Sequence, residues 1–271
     1  MTLKIAMAGA TGWTGAEITR GVLAAPDMTL VAAVARKAAG QDIGEALGGE
    51  PAGVVIVPTV AEALDGSSDF RPDVLIDYTQ PASVKDHALQ AIERGIAVVV
   101  GTSGLTPEDY GEIEAAAKKK GVGVVGGGNF SLTGALQLRF AKMAAKYMPQ
   151  YEIMDMMWGE KEDVPSGTAR DLAEGMAAVQ KPEFGHDPGG VIGPKDARGT
   201  DIEGVRVHSL RMDGYKVRLE VHLGLPGERL SLIQEAGTSA VPYVSGTLMA
   251  ARRAVEVTGL ERGLDSLLFG S

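Results

Sequence analysis

A short apolar run, Leu3-Lys4-Ile5-Ala6-Met7-Ala8, ends in Gly9-Ala10-Thr11-Gly12-Trp13-Thr14-Gly15 and passes directly into a helical stretch over 13–24. Strand, glycine turn and helix in that order constrain the fold more than any other feature of the chain. The glycines permit a tight turn and close backbone approach, and the helix start offers free N–H groups and the positive end of its dipole. A pyrophosphate fits there. The context makes this a dinucleotide fingerprint with Gly9, Thr11, Gly12, Trp13, Thr14 and Gly15 as its binding residues. Where an NAD-selective site places a carboxylate for the ribose 2′-OH, this chain has Ala35-Arg36-Lys37. Two cations and no acid favour a 2′-phosphate, so NADPH is the expected cofactor, with NADH possible.

The first half continues the same rhythm. "LVAAVA", "VVIVPT", "DVLIDYT", "IAVVVGT" and "GVGVVGG" are short, nearly continuous apolar runs, as strands buried on both faces require. Between them, "PASVKDHALQAIERG" and "TPEDYGEIEAAAKKKG" read as helices that end at glycine. Alternation of this kind predicts an α/β fold with a parallel sheet covered on both sides. After a predicted helix over 132–148, "VRVHSLRM", "YKVRLEVHLG" and "RLSLIQEA" alternate as an antiparallel sheet does, and 241–257 reads as a last helix. Residues 180–204 hold Pro, Gly and charge without periodicity and read as a long functional loop. The expected division is a Rossmann-type nucleotide domain from 1–129 and 241–271, with an α+β substrate-binding and oligomerisation domain over 130–240.

Composition removes several classes. The net charge of −9 argues against a nucleic-acid partner, which calls for a basic face. The absence of cysteine closes disulfides, thiolate metal sites and thioester chemistry. That last point matters because "GATGxTG" also opens the dehydrogenases that turn acyl phosphates into semialdehydes through a cysteine. Direct hydride transfer to a C=N or C=C bond needs only a proton source and a substrate anchor. No metal-ligand spacing is evident, and no apolar stretch is long enough for a membrane span. A cytoplasmic location is expected, and a small molecule is the expected partner.

Residues 151–172, "YEIMDMMWGEKEDVPSGTARDL", carry the candidate chemistry. Ser166, Gly167 and Thr168 open a helix whose N–H groups and hydroxyls suit a carboxylate, and Lys161 on the preceding turn suits an anchor or proton donor. His208 and His222 alternate with apolar residues and read as packed or interface histidines.

With these residues, the chain resembles the dihydrodipicolinate reductase family over nearly its whole length. The likeness lies in "GATGWTG", Asp77-Tyr78-Thr79, Gly101-Thr102-Ser103-Gly104, Gly128-Asn129-Phe130-Ser131, "KEDVPSGTA" and "VHSLRMDG". The resemblance implies an NADPH-dependent reductase that closes over its substrate and assembles as a homotetramer through its substrate-domain sheets. It places Tyr78, Thr79, Gly101, Thr102, Ser103, Gly128, Asn129 and Phe130 on the nicotinamide side. Lys161 would be catalytic, with Ser166, Gly167 and Thr168 facing the substrate.

Departures from the family pattern are concentrated around the lysine. Met157-Trp158 stands where the family has a His-His pair, Glu160 replaces a basic or histidine position, and "LIQEAGTSA" has no basic residue. Met157 and Trp158 are therefore expected to form an apolar pocket wall. Such a wall predicts weak activity on a cyclic dicarboxylate and better activity on a less charged imine, including in the amine-dehydrogenase direction. Two alternatives stay open: a genuine 4-hydroxy-tetrahydrodipicolinate reductase of lysine biosynthesis, and a non-catalytic NADPH-binding paralogue.

Overall fold

The structure is a computed structural model; it describes residues 2–66, 70–184, 190 and 192–269. It divides into two compact units, residues 1–132 with 239–271 and residues 133–238. The breaks fall at 132/133 and 238/239, against the expected 129/130 and 240/241.

The first unit begins β1 (Leu3–Ala8), α1 (Trp13–Ala24), β2 (Met28–Val34), α2 (Ile43–Ala46), β3 (Ile56–Val57), α3 (Val60–Leu64) and β4 (Val74–Asp77). It continues α4 (Pro81–Glu93), β5 (Ala97–Val100), α5 (Pro107–Lys120) and β6 (Gly123–Gly126). Strands β4, β5 and β6 are buried at every residue, which explains their unbroken apolar sequence. Helix α5 begins with a reciprocal capping box between Thr106 and Asp109 and ends at Gly121 with φ +74°. Capping and a left-handed glycine stop fix both ends. "VVIVPT" gives only the two-residue β3 at the sheet edge, so its apolar content reflects packing more than pairing.

The second unit holds α6 (Leu132–Ala145) from its second residue on, β7 (Gln150–Met157), α7 (Gly167–Ala177), β8 (Thr200–Ile202), β9 (Val205–Arg211), β10 (Val217–Leu225) and β11 (Glu228–Ala236). The chain then returns to the first unit with α8 (Val244–Ala254), β12 (Gly259–Arg262) and α9 (Leu264–Phe269). A Cβ on Gly123 would lie 2.1 Å from the Ala254 carbonyl oxygen, so glycine there lets the C-terminal helix pack tightly against the sheet.

All seven strands of the first sheet run parallel in the order β12-β6-β5-β4-β1-β2-β3. The order reverses between β1 and β4, and ligands bind beyond the carboxyl ends of strands at such a switch point.

The second sheet has the order β11-β10-β7-β9-β8. It corrects one expectation: β9 pairs parallel with β7, so the sheet is mixed. An alternating sequence reports one buried face and carries no information on strand direction. The loop expected over 180–204 contains a 3₁₀ turn, Lys195–Arg198, and β8; its residues 185–189 and 191 lie outside the described residues. Tyr151, Ile153 and Met157 on β7 pack with Leu172 and Met176 of α7 and with Val207, Leu219 and Val221.

The opposite face of this sheet is mixed, with charged pairs set among Met154, Met156, Leu210 and Ile233. His208 Nε2 lies 2.7 Å from Glu152, which Arg198 also engages, and His222 Nε2 lies 2.8 Å from Glu220. Burial raises the Glu152 carboxyl, yet the bonds from His208 and Arg198 outweigh it and hold the group below its usual range.

Candidate active site

At the carboxyl ends of β1 and β4, a cavity of about 950 Å³ is lined by Gly9, Thr11, Gly12, Arg36, Lys37, Tyr78 and Thr79, together with Ser83, His87 and Gln90. Gly12 caps α1 without any side-chain hydrogen bond, and the first turn carries no acid, so the helix start remains available to a phosphate. Among the described residues, Arg36 and Lys37 have no carboxylate partner and border the same space, so the residues present fit a 2′-phosphorylated dinucleotide. Gly15 serves the turn itself. A Cβ there would lie 1.9 Å from the Gly9 carbonyl oxygen.

Not every predicted nucleotide residue borders this cavity. Trp13 is exposed and meets Tyr243 edge-on at 6.3 Å, and Thr14 lies on the first turn of α1. Gly101 allows the Tyr78 ring to approach; its Cβ would sit 2.2 Å from that ring. Ser103 and Gly128 are exposed, whereas the Asn129 side chain accepts from the Ser131 N–H at 2.8 Å. The Phe130 ring lies inside the fold. At 1 % exposure it is core, and it packs edge-on against Tyr78 at 6.4 Å. Its side chain supports the tyrosine, which leaves the Phe130 backbone for any cofactor contact. The Tyr78 hydroxyl shares a 2.6 Å hydrogen bond with Thr247, and burial pushes its ionisation far up, so it stays a neutral phenol.

Asp77 ends β4 fully buried. It accepts from the Thr79 N–H at 2.8 Å and the Thr79 hydroxyl at 2.6 Å, with Thr102 Oγ1 3.4 Å away. His87 Nδ1 lies 2.8 Å from its other oxygen. The sequence did not single out His87; its contact with Asp77 arises from the packing of α4 beside β4.

The candidate substrate residues lie in the second unit. Lys161 Nζ is 2.5 Å from Asp163 Oδ1 and 5.1 Å from the centroid of the Trp158 ring. The Gly167 N–H reaches Asp163 Oδ2 at 3.3 Å. Burial raises the Asp163 carboxyl, but Lys161 and the Gly167 N–H lower it further, and it remains below the carboxylate range. Among the described residues, the Thr168 side chain makes no hydrogen bond and is free for a ligand.

Ser166 departs from the expected role. Its N–H and hydroxyl each reach the fully buried Asp155 carboxylate at 2.8 Å, and its oxygen also accepts from the Ala169 N–H at 3.2 Å. It is buried and builds the helix start instead of offering its hydroxyl to a substrate. Asp155 also pairs with Arg211 at 2.8 Å, and Arg211 donates to the Asp163 carbonyl oxygen at 2.7 Å. This buried network fixes the segment carrying Lys161.

Met157 is also corrected. It lies on the covered face of β7 at 2 % exposure, so no wall can be built from it. Trp158 alone reaches a pocket of about 550 Å³, shared with Glu160, Asp213, Tyr215, Lys216 and Glu235. Lys216 Nζ stands 5.2 Å from the same indole, a second cation that sequence spacing did not reveal.

Residues 3–130 match the family described as dihydrodipicolinate reductase, N-terminus, and residues 134–267 match dihydrodipicolinate reductase, C-terminus. The chain is 36% identical over 269 residues to the 4-hydroxy-tetrahydrodipicolinate reductase of Moorella thermoacetica, covering 98% of each. It is 35% identical over 266 residues to the enzyme of the same name from Desulfitobacterium hafniense, again covering 98% of each. A solved dipicolinate-bound dihydrodipicolinate reductase from Paenisporosarcina superposes with TM-score 0.81 at 27% identity, covering 98% of this chain and 99% of that one. The chain belongs to the dihydrodipicolinate reductase family and is an NAD(P)H-dependent oxidoreductase.

Proposed function

We propose that the chain reduces the C=N bond of a cyclic imino dicarboxylate of the dipicolinate class, with NADPH as preferred hydride donor. The observation that carries this reading is the pair of ammonium groups, Lys161 and Lys216, at the Trp158 ring, with Lys161 linked through Asp163 to the first N–H of α7. Two cations suit two carboxylates and replace the positive charge that the missing histidines would supply.

When bound, the nicotinamide supplies the hydride. Lys161 would provide the proton that the imine nitrogen takes up as its carbon is reduced. The Lys161 ammonium and the Gly167 N–H, with the Thr168 hydroxyl, hold a substrate carboxylate, with the dipole of α7 behind them. Arg36 and Lys37 favour the 2′-phosphate.

A second reading is an imine carrying fewer negative charges. The carboxylates of Glu160, Asp213 and Glu235 on the same pocket favour it, although Glu235 is held by Arg218 at 2.9 Å. Side-by-side kcat/KM with NADPH separates the two. Reduction of the dipicolinate-class substrate above roughly 10⁴ M⁻¹s⁻¹ supports the first. A lower value together with faster reduction of a monocarboxylate cyclic imine replaces it with the second.

The mixed face of the second sheet, where Leu210 and Ile233 stand exposed beside the Glu152–His208 and Glu220–His222 pairs, supports the proposed homotetramer, which light scattering at low micromolar concentration tests. A cytoplasmic location is part of the same proposal. Among the described residues, no helix is long and apolar enough to cross a membrane.

A further inference from the structure

The two donors that would hold a substrate carboxylate already hold one. Asp163 bridges them, one oxygen 2.5 Å from Lys161 Nζ and the other accepting from the Gly167 N–H at 3.3 Å. A residue that only positioned the lysine would need the first contact alone. Asp163 makes both, so its carboxylate has the placement expected of a bound anion, across an ammonium and the first N–H of α7. Its side chain is 48% exposed while that of Lys161 is 23% exposed, so the occupant faces solvent and the cation lies beneath it. Asp163 is also anchored by its backbone, because its carbonyl oxygen accepts from Arg211. The carboxylate can therefore swing out by side-chain rotation while the turn stays in place.

We propose that Asp163 is a built-in competitor: it occupies the substrate-carboxylate seat in the empty enzyme and must be displaced before substrate binds. This inference rests on the reading that Lys161 and the start of α7 form that seat. The displaced aspartate sets a threshold. A ligand with a carboxylate placed to engage Lys161 and the helix start together displaces it, whereas a stray monoanion contacting only one of them does not. Apparent affinity is then the intrinsic affinity reduced by the self-occupied fraction. A half-exposed ion pair of ordinary strength imposes a factor of up to about fivefold.

The experiment compares wild type with Asp163→Asn and Asp163→Ser. Two readouts are taken: the labelling rate of Lys161 by an acylating reagent, followed by peptide mass spectrometry, and the Kd of dipicolinate by calorimetry with NADPH present. In both variants Lys161 is expected to label several-fold faster, and dipicolinate to bind up to about fivefold tighter. Thermal melting confirms that each variant is folded, and two replacements guard against a loss peculiar to one. Unchanged Lys161 labelling overturns the proposal whatever dipicolinate does. Faster labelling with unchanged or weaker dipicolinate binding overturns the competition and makes Asp163 a positioning residue. Faster labelling while neither wild type nor variant binds dipicolinate supports self-occupancy and rejects the dicarboxylate reading instead.

Discussion

Lys216 Nζ stands 5.2 Å from the centroid of the Trp158 ring. Lys216 lies just before β10 and Trp158 just after β7, and the pairing of Val217 with Met157 brings the two together. The expected apolar wall is thus a tryptophan bearing cations. If Lys216 is the second carboxylate anchor, Lys216→Ala should raise KM for a dicarboxylate about tenfold with kcat little changed. A monocarboxylate imine should be affected much less. Equal effects on both substrates would assign Lys216 to packing against the indole.

Lys161 should matter to chemistry more than to folding. Its ion pair with Asp163 is partly exposed, and such pairs contribute about 0–1 kcal/mol. Lys161→Ala should leave Tm and NADPH affinity nearly unchanged while lowering kcat/KM about a hundredfold or more. Near-normal turnover in this variant would remove the lysine from the mechanism.

Cofactor preference should follow Arg36 and Lys37. With no competing carboxylate among the described residues, both are free to meet a 2′-phosphate, each hydrogen bond contributing about 1.5–3 kcal/mol. NADPH should bind more tightly than NADH in fluorescence titrations, and Arg36→Asp should reverse the order. Equal affinities in the wild type would show that the two cations are only solvated.

The Tyr151 hydroxyl donates to the Gln180 carbonyl oxygen at 2.5 Å, and burial raises its ionisation to about 12. The folded state therefore holds this proton more tightly than the unfolded chain, whose tyrosines titrate near 10. The contribution is complete below about pH 10 and disappears as pH rises towards 12. Wild type should lose Tm over that interval, and Tyr151→Phe should flatten the alkaline limb of a Tm-against-pH profile.

Elements with strong local signals were legible from sequence. The turn from Gly9 to Gly15 declared a nucleotide fold because its glycines answer a backbone requirement, and α5 declared its end through Gly121. Side-chain direction was less legible. Met157 and Trp158 are adjacent, yet the strand period sends one into the core, while the other, just past the strand's end, reaches the pocket. Partners distant in sequence were hidden altogether. His87 meets Asp77, and Arg211 meets Asp155, only because the α4 and β9 packing brings them together, and no spacing rule encodes that.

Ser166 shows how this changes an expected phenotype. Read from "PSGTA", Ser166→Ala would act mainly on KM. The structure instead buries its hydroxyl between Asp155 and the Ala169 N–H, where it caps α7 and satisfies a fully buried carboxylate. Removing it loses a cap and leaves one Asp155 oxygen without that donor, a cost of about 1–3 kcal/mol. Arg211→Ala is predicted to be worse, about 3–5 kcal/mol, because it removes the cation paired with the buried Asp155 charge and leaves only neutral donors from Ser166 and Ser209. It also frees the Asp163 carbonyl, so the Lys161 turn should loosen. Urea denaturation should rank stability as wild type, then Ser166→Ala, then Arg211→Ala. Thr168→Val, whose hydroxyl has no partner among the described residues, should keep wild-type stability and raise KM. A Thr168→Val loss of stability equal to that of Ser166→Ala would show that both hydroxyls are structural and that the substrate seat lies elsewhere.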